Sequence, residues 1–596
     1  MSDVYSAVQW KEYVHTRLAE AVDLMESGLM HRNKAWLERA REQLKTLLSM
    51  EPAAKKLLIR CLEALVVVDA GNALSYLHEA LTLDEREPTV LNNLGFVHHK
   101  QRRDYDQAAL YYRKCLDEDS NFSQAYLGLA DIYQALGATH MQRSLLEKAA
   151  VQCPNDGSVL LALGTSMVSM KKDLQKAYAN LARAGDTAGA SVYCRSASLT
   201  QRAHIHRLGG DVVEAARLYK EAATAWPENQ EAILGQVDIM YKNPLPGATK
   251  ADVDQAAKDL LPKFDLTKVP ERNMDASHVP KVGFLWNSAV QACFVNFLFE
   301  LSSWDVVVYS TDLKAPGKGK WTQRTVRDLP AEVAAEVMRS DGLDVLVDLI
   351  GTGPGARADI LAQRPAAAVR SLELLGLPER VSAGICYSGA AATSDVPFLR
   401  DCMKTEWRQG PLTLGYLGPL SFVSDECLSS WLHVLTTLPE ARLVVIDVAL
   451  DSSHMKEMFL KRVPSEMRKR FVCLSHEATF ERRLKLYRLF DAYLAPFPAC
   501  PHLQLFEALL MNIPALTRAT VTRTQAPSPV DILSACGIAS DTVAGGDADL
   551  ARLAGGIRGK AAELGTRARM LASPLVARQM FVKRFEDDLM EAWVCS

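Results

Sequence analysis

The sequence has no CxxC pair, no excess of either charge and no long unbroken apolar run, and each absence narrows the reading. Its twelve cysteines are scattered from Cys61 to Cys595 without a short even-numbered framework. That argues against a structural zinc site and for a reducing compartment, of which the cytoplasm is the simplest. Lys+Arg (68) and Asp+Glu (71) nearly cancel, leaving a formal charge of −3. No global positive field exists to attract nucleic acid or an anionic bilayer, and neither is expected as a partner. The longest uncharged run, the eighteen residues from Val282 to Phe299, is broken by Asn287, Gln291 and Asn296. A strand running into a buried helix explains it better than a membrane span. The opening MSDVYSAVQWKEYV carries early charges and no apolar stretch, so no secretory signal is expected. The acidic run Glu586-Asp587-Asp588 reads as a solvated helix face, and no metal site or cofactor is expected.

What is present is a repeat. Leu94-Gly95, Leu129-Ala130 and Leu163-Gly164 recur at spacings of 35 and 34 residues, and His98, Tyr133 or Met167 follows each pair. A second series supplies Ala108 and Tyr112, then Gln142, Leu146 and Ala149, then Ala177, Leu181 and Ala184. Large and small residues at helical spacing let paired helices approach closely, and a period in the mid-thirties implies stacked helical hairpins. Prolines in Glu51-Pro52, Cys153-Pro154 and Trp226-Pro227 punctuate the hairpins. The pattern is tetratricopeptide-like. It ends at 242, where Asn243-Pro244-Leu245-Pro246-Gly247 opens a proline-rich junction.

Beyond the junction the texture changes to short apolar runs, including 281–285, 305–309, 344–349, 442–446, 471–474, 492–495 and 515–517, separated by helical stretches. Runs without polar alternation suit parallel strands covered on both faces. They fall into two groups, so two doubly wound lobes are expected.

In such sheets ligands bind beyond the carboxyl ends of the strands, where helix N-termini present unpaired N–H groups. The segment after Ala495 reads as strand, proline-rich turn and helix. Its first-turn amides near Leu503 and Gln504, with His502 beside them, suit a pyrophosphate. Glu507, one turn on in an otherwise apolar helix, suits ribose hydroxyls, with a buried ion pair as the alternative. Arg357, after the Gly353-Pro354-Gly355 turn, is a candidate anion ligand. Asp348 and His502 are candidate catalytic groups, although Asp348 equally suits a turn cap.

The string from Asp491-Ala-Tyr-Leu through His502 and Glu507-Ala-Leu to Pro514-Ala-Leu-Thr517 resembles the nucleotide-sugar segment of the protein O-GlcNAc transferase and SPINDLY family. Asp341-Gly-Leu-Asp-Val-Leu-Val-Asp-Leu-Ile-Gly351, followed by Gly355-Ala-Arg357 and Gln363-Arg364-Pro365-Ala366, resembles a separate signature of that family, and Trp431-Leu-His-Val-Leu with Leu438-Pro439 resembles one of its helices. The resemblance implies an α superhelix of TPR-like hairpins followed by an α/β GT-B fold of two Rossmann-like lobes. The expected domains are 1–242 (repeats that bind a protein acceptor), 243–280 (linker), 281–405 (N-terminal lobe) and 406–596 (nucleotide-sugar lobe with a C-terminal helix). The implied activity is metal-independent transfer from a nucleotide-sugar donor to Ser or Thr of a protein. For bacterial proteins of this layout the suggested acceptor is flagellin.

Departures from the family pattern are specific. Leu503 and Gln504 replace two hydroxyl residues, Pro419 and Phe422 stand where a Gln and a phosphate-binding Lys are expected, and the first-lobe histidine aligns roughly with Ala292. Two explanations follow: a donor with a single phosphate in its leaving group, such as a CMP-activated nonulosonic acid, or a non-catalytic adaptor carrying a degenerate transferase domain.

Overall fold

A computed structural model describes residues 7–242, 279–286, 304–311, 321–349 except 328, 357–371 except 364 and 367, 410–475, 480–520, 528–573 and 590. The junction at 243–278, Ala292, the Gly353-Pro354-Gly355 turn and the Glu586-Asp587-Asp588 run lie outside these residues.

Helix follows helix from Ala7 to Lys242, in antiparallel hairpins such as Pro88–Phe96 with Tyr105–Glu118 and Ser123–Ala135 with Thr139–Gln152. Small residues set the hairpin spacing. Tyr112 lies between two glycines: a Cβ added at Gly95 would come within 2.7 Å of its ring, and one at Gly128 within 2.3 Å. The 35-residue spacing also has a physical cause. Helix Pro88–Phe96 runs on through a π-helical turn, Val97–Arg102, closed by the Asp104 amide on the His98 carbonyl at 2.9 Å. The wider turn takes in the extra residue. Pro52 precedes helix Ala53–Val68, and Cys153 and Trp226 end helices Thr139–Gln152 and Val212–Ala225, as the proline spacing implies.

Tertiary contacts divide the chain into residues 1–166 and 167–596. The last hairpins, including Val192–Leu208 with Val212–Ala225, therefore group with the α/β part, whereas the sequence pattern changes at 242. In this second unit Tyr219 meets Gly235 as Tyr112 meets Gly95, with an added Cβ only 2.5 Å from the ring.

Two parallel sheets follow. The first contains β1 (Lys281–Trp286), β2 (Asp305–Ser310), β3 (Thr322–Thr325), β4 (Val345–Asp348) and β5 (Ala368–Ser371), in the order β3-β2-β1-β4-β5. The second contains β6 (Thr413–Leu417), β7 (Arg442–Ile446), β8 (Phe471–Leu474), β9 (Ala492–Leu494), β10 (Ala515–Arg518) and β11 (Val543–Ala544), in the order β11-β10-β9-β6-β7-β8. Every described pairing is parallel. The central strands are buried along nearly their whole length, as strands covered on both faces must be. The fold class is thus TPR-like helical hairpins followed by doubly wound parallel α/β sheets, as the sequence implies.

Strand order locates the binding crevices. The chain reverses direction across the sheet between β1 and β4 in the first sheet and between β6 and β9 in the second. Ligands of doubly wound sheets bind at such switch points, outside the carboxyl ends of the strands.

Candidate functional site

At the second switch point the flanking loops are 418–424, after β6, and 495–501, after β9. Tyr416 Oη donates to the Pro419 carbonyl (2.7 Å) and Tyr493 Oη to the Leu417 carbonyl (3.2 Å), fixing the first loop from beneath. Asp447, after β7, accepts from the Leu420 amide (2.8 Å) and the Ala449 amide (3.1 Å). Burial pushes its carboxyl above the usual range, and these amides oppose the shift. Gly418 lies against the second loop, where a Cβ would come within 3.0 Å of Pro501 Cγ. Cys427 and Cys500 are buried nearby. Burial holds the Cys427 thiol up at about 12 and pushes that of Cys500 up as well, so neither serves as a thiolate nucleophile near neutral pH.

The two helices that start at this crevice differ. Helix Asp425–Thr437 is capped by Ser424 Oγ, which accepts from the Cys427 amide at 3.1 Å, and its first turn carries Asp425 and Glu426. Its positive end is already neutralised. Helix His502–Leu510 starts after Pro501 with no capping side chain and no acid in its first turn. The Gln504 and Leu505 amides both turn to the Pro501 carbonyl (3.1 Å each). Of the two amides expected to meet a ligand, Gln504 N–H is engaged within the turn. His502, the first residue of this helix, is half-buried.

Glu507 is fully buried, and its carboxylate does not open toward solvent. Arg483 Nη2 lies 2.5 Å from Oε1 and its Nε 3.1 Å from the same oxygen, while Tyr487 Oη donates to Oε2 at 3.0 Å. Burial raises the Glu507 carboxyl, and Arg483 and Tyr487 oppose the shift. Of the two readings of this residue, the geometry is that of the ion pair. Arg483 and Tyr487 were missed in the sequence. The signal available was Glu507 itself, a carboxylate among apolar neighbours that requires a cation somewhere.

Arg357 is likewise committed. Its five N–H groups go to Asp359 and to the carbonyls of Val326 (3.1 Å), Arg327 (3.3 Å) and Leu329 (2.9 Å). No donor is left for an anion, so its place is that of a loop staple, contrary to the expected anion contact. Asp348 ends β4 beside β1, paired in register with Leu285 and buried at the first switch point. Two other acids of its motif serve structure: Asp344 accepts from the Lys281 amide (2.7 Å), and Asp341 accepts from Arg324 Nε (2.7 Å) and Tyr309 Oη (2.6 Å). Asp491 joins the Thr413 amide (2.9 Å) to Arg558 (2.5 Å) at the amino ends of β6 and β9, away from the switch-point loops. Among the described residues no group of three or more His, Cys, Asp or Glu could hold a metal ion, and no helix is long and apolar enough to cross a membrane.

No protein-family profile matches the chain. It is 22% identical over 348 residues to a protein of Solanum lycopersicum described as a probable UDP-N-acetylglucosamine–peptide N-acetylglucosaminyltransferase, SPINDLY, covering 49% of this chain and 36% of that one. A protein of Oryza sativa with the same description is 24% identical over 268 residues, covering 37% and 28%. The chain thus spans about a third of the length of these relatives. In structure it is similar to a variant of the O-GlcNAc transferase of Thermobaculum terrenum, with a TM-score of 0.57 at 18% identity, over 85% of this chain and 97% of that one. The chain is a distant homologue of SPINDLY proteins and shares its fold with a bacterial O-GlcNAc transferase.

Proposed function

We propose that the chain is a cytoplasmic protein glycosyltransferase of GT-B type. In this reading the helical hairpins hold a protein acceptor, and a nucleotide-sugar is bound at the switch point of the second sheet. One observation carries it: at the carboxyl end of β9, beside β6, the helix His502–Leu510 begins with neither a capping side chain nor an acid. Such an end favours phosphate through its N–H groups and its dipole. The Leu503 amide and His502 are the proposed phosphate contacts. Arg483, paired with Glu507, supports the same helix. Transfer joins a Ser or Thr oxygen of the acceptor to the anomeric carbon as the bond to the phosphate oxygen breaks, and the hydroxyl proton leaves with the departing phosphate. The helix end stabilises the charge that develops on the leaving group.

The finer reading is a donor that leaves with one phosphate, a CMP-activated nonulosonic acid, and flagellin as the acceptor. Supporting the single phosphate, the loops 418–424 and 495–501 contain no Lys or Arg, and the Gln504 amide is engaged within the turn. The relatives' descriptions name UDP-N-acetylglucosamine, whose leaving group carries two phosphates and needs a stronger clamp. A second reading, a non-catalytic adaptor, is favoured by the full occupation of Arg357 and of the Glu507 carboxylate by protein partners.

Intact mass of flagellin co-expressed with wild type or His502→Ala, in cells that make the sugar, separates the readings. Sugar addition by wild type alone, with both proteins folded, supports the transferase. Unmodified flagellin in both cultures, with flagellin still captured, supports the adaptor.

A further inference from the structure

The loop 418–424 is held from below by the second sheet and also by the last helical hairpins. The turn Gly209-Gly210 joins helices Val192–Leu208 and Val212–Ala225, and Gly210 has a φ of +77°. A Cβ there would lie 3.0 Å from the Leu420 carbonyl oxygen and 2.7 Å from Arg462 Nη1. Gly209 rests on Met458 in the same way, at 3.2 Å. Close approach and a left-handed backbone together require glycine at 210. Arg462 follows helix Ser453–Lys461. Its Nη2 donates to the Val423 carbonyl (2.6 Å) and its Nε to Asp425 (3.0 Å). Its Nη1 is buried without a hydrogen-bond partner among the described residues, so it is held against the turn by packing.

Charge links the same parts. Asp211 accepts from the Glu214 amide at the start of helix Val212–Ala225 and pairs with His206 Nδ1 at 3.0 Å. Its carboxyl lies below the usual range, chiefly through His206, with Arg462 adding to the effect. Lys171, in the turn after helix Gly157–Met170, likewise opposes the rise of Asp447, whose carboxylate holds the Leu420 amide. Leu420 is thus gripped through its amide by Asp447 and packed at its carbonyl by Gly210, and Val423 is gripped by Arg462.

We infer that Arg462 is a positioning residue, which with the Gly209-Gly210 turn sets the loop 418–424 for nucleotide binding without touching the nucleotide. This rests on the proposed reading of that loop as one wall of the nucleotide site. It places the register of the wall under the control of the hairpins proposed to carry the acceptor.

The test uses the full chain as wild type, Arg462→Met, Arg462→Lys and Gly210→Ala, with CMP and UDP as probes. Calorimetry reads affinity, and hydrogen exchange reads the 420–423 amides and the helices 192–225. Expected are faster exchange at 420–423 in Arg462→Met and Gly210→Ala, and affinity lower by about three- to thirty-fold, the range for residues acting through a packed network. Arg462→Lys, which keeps the charge, should recover part of the loss, and protection of 192–225 should persist. Gly210→Ala reaches the contact from the other side, so loss of one variant to misfolding leaves the other to decide. Unchanged affinity in the variants, with wild type binding, overturns the inference alone. Wild type that binds neither probe overturns the functional reading and this inference together.

Discussion

Arg483 and Glu507 form a buried, charge-assisted pair, with Nη2 2.5 Å from Oε1 and the second carboxylate oxygen held by Tyr487 Oη at 3.0 Å. Tyr487 Oη also lies 2.9 Å from the Gln504 carbonyl, so its one proton is shared between the two acceptors. One cluster therefore ties helix Phe480–Leu486 to the first turn of His502–Leu510. The proposed phosphate site is built on this support.

Removing one partner should be worse than removing both. Glu507→Ala leaves a mostly buried guanidinium unpaired and is expected to destabilise by about 3 kcal/mol, the lower end for a broken buried pair because Arg483 stays partly exposed. The double change Arg483→Met with Glu507→Met should lose less. Urea midpoints of the singles and the double measure the coupling, and additive losses would show that the pair contributes nothing jointly.

Arg357 should behave as a staple. Arg357→Ala strips three loop carbonyls and Asp359 of their donor and should destabilise by about 1–3 kcal/mol. Affinity for CMP, measured on the folded fraction, should match wild type. A selective loss of affinity with unchanged stability would restore Arg357 as an anion ligand.

The Tyr112 sandwich between Gly95 and Gly128 predicts a reversal of ordinary helix propensity. Gly→Ala inside a helix normally gains up to about 1 kcal/mol. At Gly128 the new methyl group would meet the Tyr112 ring at 2.3 Å, so Gly128→Ala should instead cost about 1–3 kcal/mol by overpacking. Thermal unfolding followed by far-UV circular dichroism decides, and the double variant Gly128→Ala with Tyr112→Leu should recover part of the loss.

His204 gives the second unit an acid-sensitive point. Burial, with Arg207 adding to it, lowers its pKa to about 3. Between that value and the ordinary histidine range the unfolded chain binds a proton that the folded chain does not, so stability is complete above about pH 6.5 and falls as pH drops toward 3. At pH 5 the loss should be about 2 kcal/mol relative to pH 7. His204→Gln should flatten this slope; an unchanged slope would place the sensitivity elsewhere.

Periodicity made the architecture legible. Strands β1, β2, β7 and β8 lie within a residue of their apolar runs, because a strand buried on both faces needs such a run. β3 left no such signal: Thr322–Thr325 is a mostly exposed polar edge strand. β6 was obscured by Gly415, which the strand needs because a Cβ there would come within 2.0 Å of the Phe490 ring. At the candidate site the sequence marked His502 and the helix start, which are local features. It could not reveal that Arg483 reaches Glu507 or that Arg357 reaches the carbonyls of Val326, Arg327 and Leu329, since both depend on where distant backbone lies, and the turn of Gln504 N–H to the Pro501 carbonyl is a choice of local turn geometry that residue types leave open. The π-helical turn at Val97–Arg102 was present only as one extra residue in a spacing.

That a phosphate docks at the start of helix His502–Leu510 is tested most directly by a crystal structure of the full chain grown with CMP. The expected result is a phosphate oxygen about 2.9 Å from the Leu503 amide nitrogen, with His502 beside it. Nucleotide bound elsewhere on the chain, or a helix start left without it at saturating concentration, would contradict the proposed site.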